Sequence, residues 1–302
     1  MVSWLVIIAL SYLCFAVSSL GDKVVLDGPQ NAKSYVFFVG LLNVFAIFLL
    51  PFINFQTPRL PIVLLIALDT IVFILGMYFG FEAVEDFEVS KVSATLGALQ
   101  PILIFFISWA IFGCQELSKS AVFAFLLLII GSMLISFDKR PQLTSRYLKL
   151  IFFSAFFYAL DYVLLKLIYT NAHFLSAFVL KSLMLFVFVW IFMIKKENRK
   201  IIFAAKRKSK KGLMLRIIFL ATQTIGAAAN ILQSFAISLV PIAFLPIANS
   251  LKGLQFVFLF LLTALISVFF PKILKEGLSR RALARKLASI FIIVIGLAFL
   301  VF

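Results

Sequence analysis

The chain is divided into apolar stretches of bilayer-crossing length, and that spacing excludes most folds before any motif is considered. A hydrocarbon core about 30 Å thick is spanned by about 20 residues of helix. Ten such stretches run over roughly residues 2–20, 34–53, 62–81, 90–112, 121–137, 147–168, 174–194, 213–238, 243–270 and 283–302. The loops between them are too short for a soluble domain. At 64% hydrophobic and 13% charged residues, the chain lies far from the about 45–50% and 25% of soluble domains. The expectation is an all-α integral membrane protein with ten transmembrane helices, multi-pass, in a plasma or inner membrane.

A net charge of +16 ordinarily suggests nucleic acid. Here the basic residues lie in loops between apolar stretches, as positive-inside bias predicts, so no nucleic-acid partner is expected. Most fall after odd-numbered stretches, above all in "KKENRKIIFAAKRKSKKGLMLR", Lys195 to Arg216, whereas the even loops hold only Arg59 and Lys119. This count puts the odd loops in the cytoplasm. The tract reads as a solvated loop acting as a topology signal, with contact to anionic lipid headgroups as the alternative. The first stretch lacks a basic leader and a small-residue cleavage site, so it reads as a retained helix. Cys14 and Cys114 do not suggest a disulfide framework.

Landmarks recur in order along the chain. "SYLCFAVSSLGDK", Ser11 to Lys23, matches "SAFFYALDYVLLK", Ser154 to Lys166, with Ser, Ala and Lys at the same internal spacing: Ser11, Ala16 and Lys23 against Ser154, Ala159 and Lys166. "GALQPILIFFISWAIFGCQELS" ends in Glu116-Leu117-Ser118, and its counterpart after the ninth stretch ends in Glu276-Gly277-Leu278-Ser279. A last helix with a central glycine follows each, Gly131 and Gly296. Five crossings per copy invert the second, so the expected domains are two inverted five-helix repeats, residues 1–140 and 141–302, with a site near the midplane where they meet.

The five-plus-five plan, the pattern that starts each repeat, Leu99-Gln100-Pro101 and Glu116-Leu117-Ser118 resemble the drug/metabolite transporter superfamily, EamA type, over nearly the whole chain. The resemblance implies cytoplasmic termini, the reverse of the charge count, and export or exchange of small metabolites. Small multidrug exporters of that superfamily use a glutamate in their first helix. Residues 2–20 hold no acidic residue, which disfavours a cationic-drug exporter. The ninth stretch departs from the family's small-residue pattern in Asn249, Lys252 and a longer linker to Glu276.

Four charges fall deep inside apolar stretches, away from their ends: Asp69, Asp161, Lys181 and Lys252. A charge at mid-membrane costs about 2.5–3.5 kcal/mol on insertion scales and is tolerated facing a partner, a cavity or water. Two of each sign suggest ion pairing, with Asp161 or Asp69 as coupling groups and neutralisers of Lys252. Lys181, a third of the way into its stretch, is a structural partner or snorkels to the interface. Gln223, Gly226, Asn230 and Gln233 share one helical face, as do Asn249, Lys252 and Gly253, with Gln255 close by; Ser93, Gly97 and Gln100 precede Pro101. Tyr158 lies one turn before Asp161. Lys252, Asn249, Gln255, Asn230, Gln223, Gln100 and Tyr158 are the candidate substrate-binding residues, with interhelical hydrogen bonding as the structural alternative. Gly76 and Gly80 suit close helix packing.

No enzyme signature, P-loop or metal motif occurs, and the single histidine, His173, cannot form a two-histidine site. No catalytic residue, metal or cofactor is expected. The sequence thus points to a secondary transporter of a small polar or anionic metabolite, monomer or homodimer, in contact with membrane lipid. A lipid-linked flippase or lipid-binding protein is the alternative, and a membrane-embedded enzyme a third class.

Overall fold

A computed structural model describes residues 2–25, 32–87, 89–113, 116–136, 144–194, 196–203, 210–269 and 280–301. Among them every regular element is helical. The helices are α1 (Val2–Val25), α2 (Ala32–Leu42), α3 (Leu60–Asp86), α4 (Val89–Phe112), α5 (Lys119–Ser136), α6 (Ser145–Asn171), α7 (Phe174–Phe188), α8 (Lys196–Phe203), α9 (Lys210–Leu239), α10 (Leu245–Ser250), α11 (Gly253–Phe269) and α12 (Arg280–Val301).

Among the described residues seven segments are long and apolar enough to cross a membrane: Ser3–Gly21, Leu60–Asp86, Thr95–Phe112, Ser145–Asn171, Phe174–Ile191, Ile242–Leu265 and Leu283–Leu300. Val36–Phe52 and Lys119–Leu134 are shorter apolar helices. Helix α9 has 30 residues, about 45 Å at 1.5 Å each. Its length suffices, but Gln223, Asn230, Gln233 and its basic first turns dilute its apolar character. Two expected helices change pitch. α2 runs on as a 3₁₀ helix over Asn43–Phe52, and α7 as one over Val189–Met193. Part of the basic tract expected to be loop is helix α8, where Asn198 accepts a 3.2 Å bond from Lys33 of α2. Residues 204–209 and the linker with Glu276 and Ser279 lie outside the described residues.

The packing pairs are reciprocal. α1 lies along α9, α3 along α6, and α5 along α12. In the first pair Ser11 Oγ donates to the Ala229 carbonyl at 3.0 Å. In the second Ser154 Oγ donates to the Gly76 carbonyl, also at 3.0 Å. The serine that opens each sequence landmark therefore ties its helix to a backbone carbonyl of a helix from the other half. Gly76 and Gly80 permit the α3–α6 approach: a Cβ on Gly76 would stand 3.2 Å from the Tyr158 ring and backbone nitrogen, and one on Gly80 2.9 Å from Ser154 Oγ. Lys166, the landmark lysine of the second half, is buried and donates to the Ile237 and Ser238 carbonyls at 3.3 and 2.9 Å. It caps the C-terminal end of α9, where the helix dipole favours a cation. Ser118 of Glu116-Leu117-Ser118 accepts from the Ala121 amide at 3.2 Å, which explains the motif locally as a helix start.

The ninth stretch is not one helix. After Pro241 a 3₁₀ turn, Ile242–Phe244, leads into α10, and the chain then breaks at Leu251 and Lys252 before α11. Across the break the amides of Lys252, Leu254 and Gln255 bond the carbonyls three residues back, at 3.0, 2.8 and 3.0 Å. This spacing is tighter than the four-residue α ladder.

Candidate functional site

A cavity of about 370 Å³ lies among the helices, lined from α1, α3, α4, α6, α7, α9 and the α10–α11 break, with Asn43 from the 3₁₀ continuation of α2. Helices α5 and α12 contribute no lining residue. The polar lining is concentrated on a few helices because each supplies one face. Helix α9 brings Asn230, Gln233 and Ser234, α6 brings Tyr158, Asp161 and Tyr162, and the break brings Asn249, Lys252 and Gln255.

Of the residues expected from sequence, Lys252, Asn249, Gln255, Asn230, Gln100, Tyr158, Asp161 and Lys181 line the cavity; Gln223 and Asp69 do not. The polar stripe of α9 is longer than the cavity. Its first turns are covered by α1, where Ser18 Oγ donates to the Thr222 carbonyl at 3.1 Å and sits 3.1 Å from where a Gly226 Cβ would be. The last turns of the stripe, from Asn230 on, line the cavity. Asp69 is fully buried beside the cavity.

The carboxylates do not neutralise Lys252, as the sequence suggested. Both meet Lys181 instead: its Nζ lies 2.7 Å from Asp69 Oδ2 and 2.5 Å from Asp161 Oδ1. The Phe73 ring is 5.0 Å from the same ammonium, within cation–π range. Lys181 does not snorkel, because α3 and α6 present two acids at its own depth. Sequence gave two acids and two lysines but no means of matching them.

Lys252 is half-buried and lines the cavity with no ion-pair or hydrogen-bond partner among the described residues. Asn249, 2% exposed, leaves its side-chain Oδ1 without a partner among them. The Tyr162 hydroxyl is likewise buried and unpartnered. Most buried polar atoms in proteins are paired, and an unpaired one costs about 1–3 kcal/mol. Lys252, Asn249 and Tyr162 thus present one cation, one acceptor and one hydroxyl to the same space. Gln255 is anchored, its Nε2 donating to Ser19 Oγ at 3.1 Å.

Sequence reasoning passed over Tyr12. Its buried hydroxyl makes long bonds of 3.4 Å to the Ala248 and Asn249 carbonyls and takes one of 3.5 Å from Gln233. It braces α10 against α1 and α9 at the cavity wall. The available signal was a lone tyrosine in an apolar run, since a buried phenol usually finds a partner.

No protein-family model matches the chain, and no curated protein does. The fold is similar to that of a solved crystal structure described only as that of a protein, with a TM-score of 0.64 and 15% sequence identity over 97% of this chain and 94% of the other. At that identity the likeness concerns the fold alone.

Proposed function

We propose that this protein is a secondary transporter that moves a small polar or anionic metabolite across a plasma or inner membrane by alternating access. In this reading ten segments span the bilayer: the seven long ones, the two shorter apolar helices and α9. Residues 1–140 and 141–302 form two inverted repeats, and the basic tract from Lys195 faces the cytoplasm. The reciprocal α1–α9 and α3–α6 pairs support the repeats. Exchanging the halves turns one pair into the other, and α5–α12 into itself.

The observation that carries the reading is Lys252, a cation without a described partner, set in a helix break at an interior cavity. Broken helices at membrane depth occur where backbone lines a cavity, and they build the substrate sites of many secondary transporters. An ammonium in partly dehydrated surroundings attracts an anion far more strongly than in water. The charge that could have cancelled it is held by Lys181. A carboxylate or phosphate group therefore fits beside Lys252, and a hydroxyl or N–H of the same molecule can serve Asn249 Oδ1.

The test is ligand-dependent stabilisation of the purified protein against a panel of monocarboxylates, dicarboxylates and phosphate esters. At least one class is expected to raise the melting temperature of the wild type, less so of Lys252→Arg, and not of Lys252→Ala. Stabilisation of Lys252→Ala equal to that of the wild type, or no response from any anion, refutes the anionic reading.

A further inference from the structure

Asp69, Asp161, Lys181 and Lys252 are the carboxylates and ammoniums that line the cavity or pair with its lining among the described residues; the buried Lys166 beside it is held by the Ile237 and Ser238 carbonyls. Lys181 is shared by both acids, so with both ionised the triad alone carries one excess negative charge. Lys252 offsets it across the cavity rather than by contact. Electrostatic effects of this kind reach further between apolar walls than in water. Neutralising Lys252 removes the offset. Two carboxylates then crowd one ammonium inside an apolar bundle, their oxygens at most roughly 5 Å apart, where like charges cannot both stay ionised cheaply.

We propose that the Asp69–Lys181–Asp161 triad is a proton-binding site linked to Lys252, so that neutralising Lys252 draws one proton from water onto one of the two carboxylates. The inference rests on the anion-binding reading of Lys252 and names what accompanies that anion: anion and proton occupy the protein together and leave together. The balance is simple. A proton adds to a carboxylate oxygen to give a neutral acid, and no bond other than O–H forms or breaks. Asp69 Oδ1, buried and without a hydrogen-bond partner among the described residues, is free to carry it. A hard metal cation fits less well, since it asks for about six or more oxygen ligands and this cluster already surrounds an ammonium.

The neighbouring elements add no competing acid or base. Helix α2 meets this region through apolar Val36 and Phe37. Among the described lining residues α4 presents Val92, Ser93, Leu96 and Gln100, and α9 presents Asn230, Gln233, Ser234 and Ile237. The titratable groups that remain are the phenols Tyr12 of α1 and Tyr158, Tyr162 and Tyr169 of α6, and the buried Lys166 of α6, whose ammonium is bound by the Ile237 and Ser238 carbonyls.

Infrared pH titration of the full-length protein, labelled with ¹³C at the aspartate side-chain carboxyl, reads the protonated-acid carbonyl band directly and needs no substrate. Lys252→Gln and Lys252→Met mimic the anion-occupied state. Removing an unpartnered lysine leaves the packing intact, which monodisperse elution checks for each. The expected result is a midpoint for the labelled band at least about one pH unit higher in both variants than in the wild type, a tenfold gain in proton affinity, with Lys252→Arg resembling the wild type. Equal midpoints in all four proteins overturn the proposal. So does a band that disappears when sodium replaces potassium, which would make the triad a metal-cation site. A linked titration in a protein that no anion stabilises would defeat only the transport reading; anion stabilisation with equal midpoints would defeat only this one.

Discussion

Lys181 and Lys252, the two lysines set deep in apolar stretches, received opposite treatment. Lys181 sits between two acids, 2.7 and 2.5 Å from their oxygens, on a continuous stretch of α7. Lys252 sits in a helix break with no described partner, against a cavity. Both have the same chemistry and both interrupt apolar stretches of similar length. A paired charge is costly to strand, whereas an unpaired one at a cavity needs water or a ligand beside it, which in the proposed reading is the anion. In the proposed reading the triad of the α3–α6–α7 side both joins helices and takes up a proton, and the break receives the anion.

Removing Lys181 is the severest test of that contrast. Lys181→Ala leaves two buried carboxylates facing each other, and breaking a buried ion pair from one side costs about 3–5 kcal/mol. Loss of folded protein from the membrane fraction is expected, measured by fluorescence-detected gel filtration. The triple variant with Asp69→Asn and Asp161→Asn should recover it, because no charge is then stranded. Normal yield from the single variant would mean that the triad is not structural.

Lys252→Ala should behave in the opposite way. It removes no hydrogen bond or ion pair among the described residues, so its melting temperature should match the wild type or exceed it, since a desolvated charge is gone. A loss comparable to that of Lys181→Ala would reveal a partner for Lys252 and erase the contrast between the lysines.

The smallest effects concern the frame around both sites. Ser11→Ala and Ser154→Ala each delete one interhelical bond at 3.0 Å. Such bonds average about 0.6 kcal/mol in a membrane protein. Similar small losses in thermal melts are expected from the two if they hold equivalent positions in the proposed repeats. A loss several times larger for one of them would argue against that equivalence.

The matching serines illustrate what was legible in the chain. Ser11 and Ser154, with the lysines twelve residues later, could be aligned by eye, and each serine makes an interhelical bond to a helix of the other half. The site was readable in part. The polar residues of α9 share a face because helical spacing demands it, but nothing in the spacing tells where α1 stops covering that face. Gln223 consequently falls outside the cavity and Asn230 within it. Tyr12 and Tyr162 were hidden because a tyrosine in an apolar run resembles core until its hydroxyl is seen.

The sequence by itself determined that this chain is helical, apolar enough for a bilayer, and burdened with four charges that had to find partners or a cavity. Those conclusions follow from residue counts and helical periodicity, which are local properties. Which acid met which lysine was decided only by tertiary structure. Asp69, Asp161 and Lys181 lie on separate helices, and the packing of α3, α6 and α7 brings them to one depth. Lys252 lies in a break whose position depends on how α10 and α11 seat against their neighbours. Pairing inside a membrane is a matter of distances between helices, and a one-dimensional pattern carries no such distances.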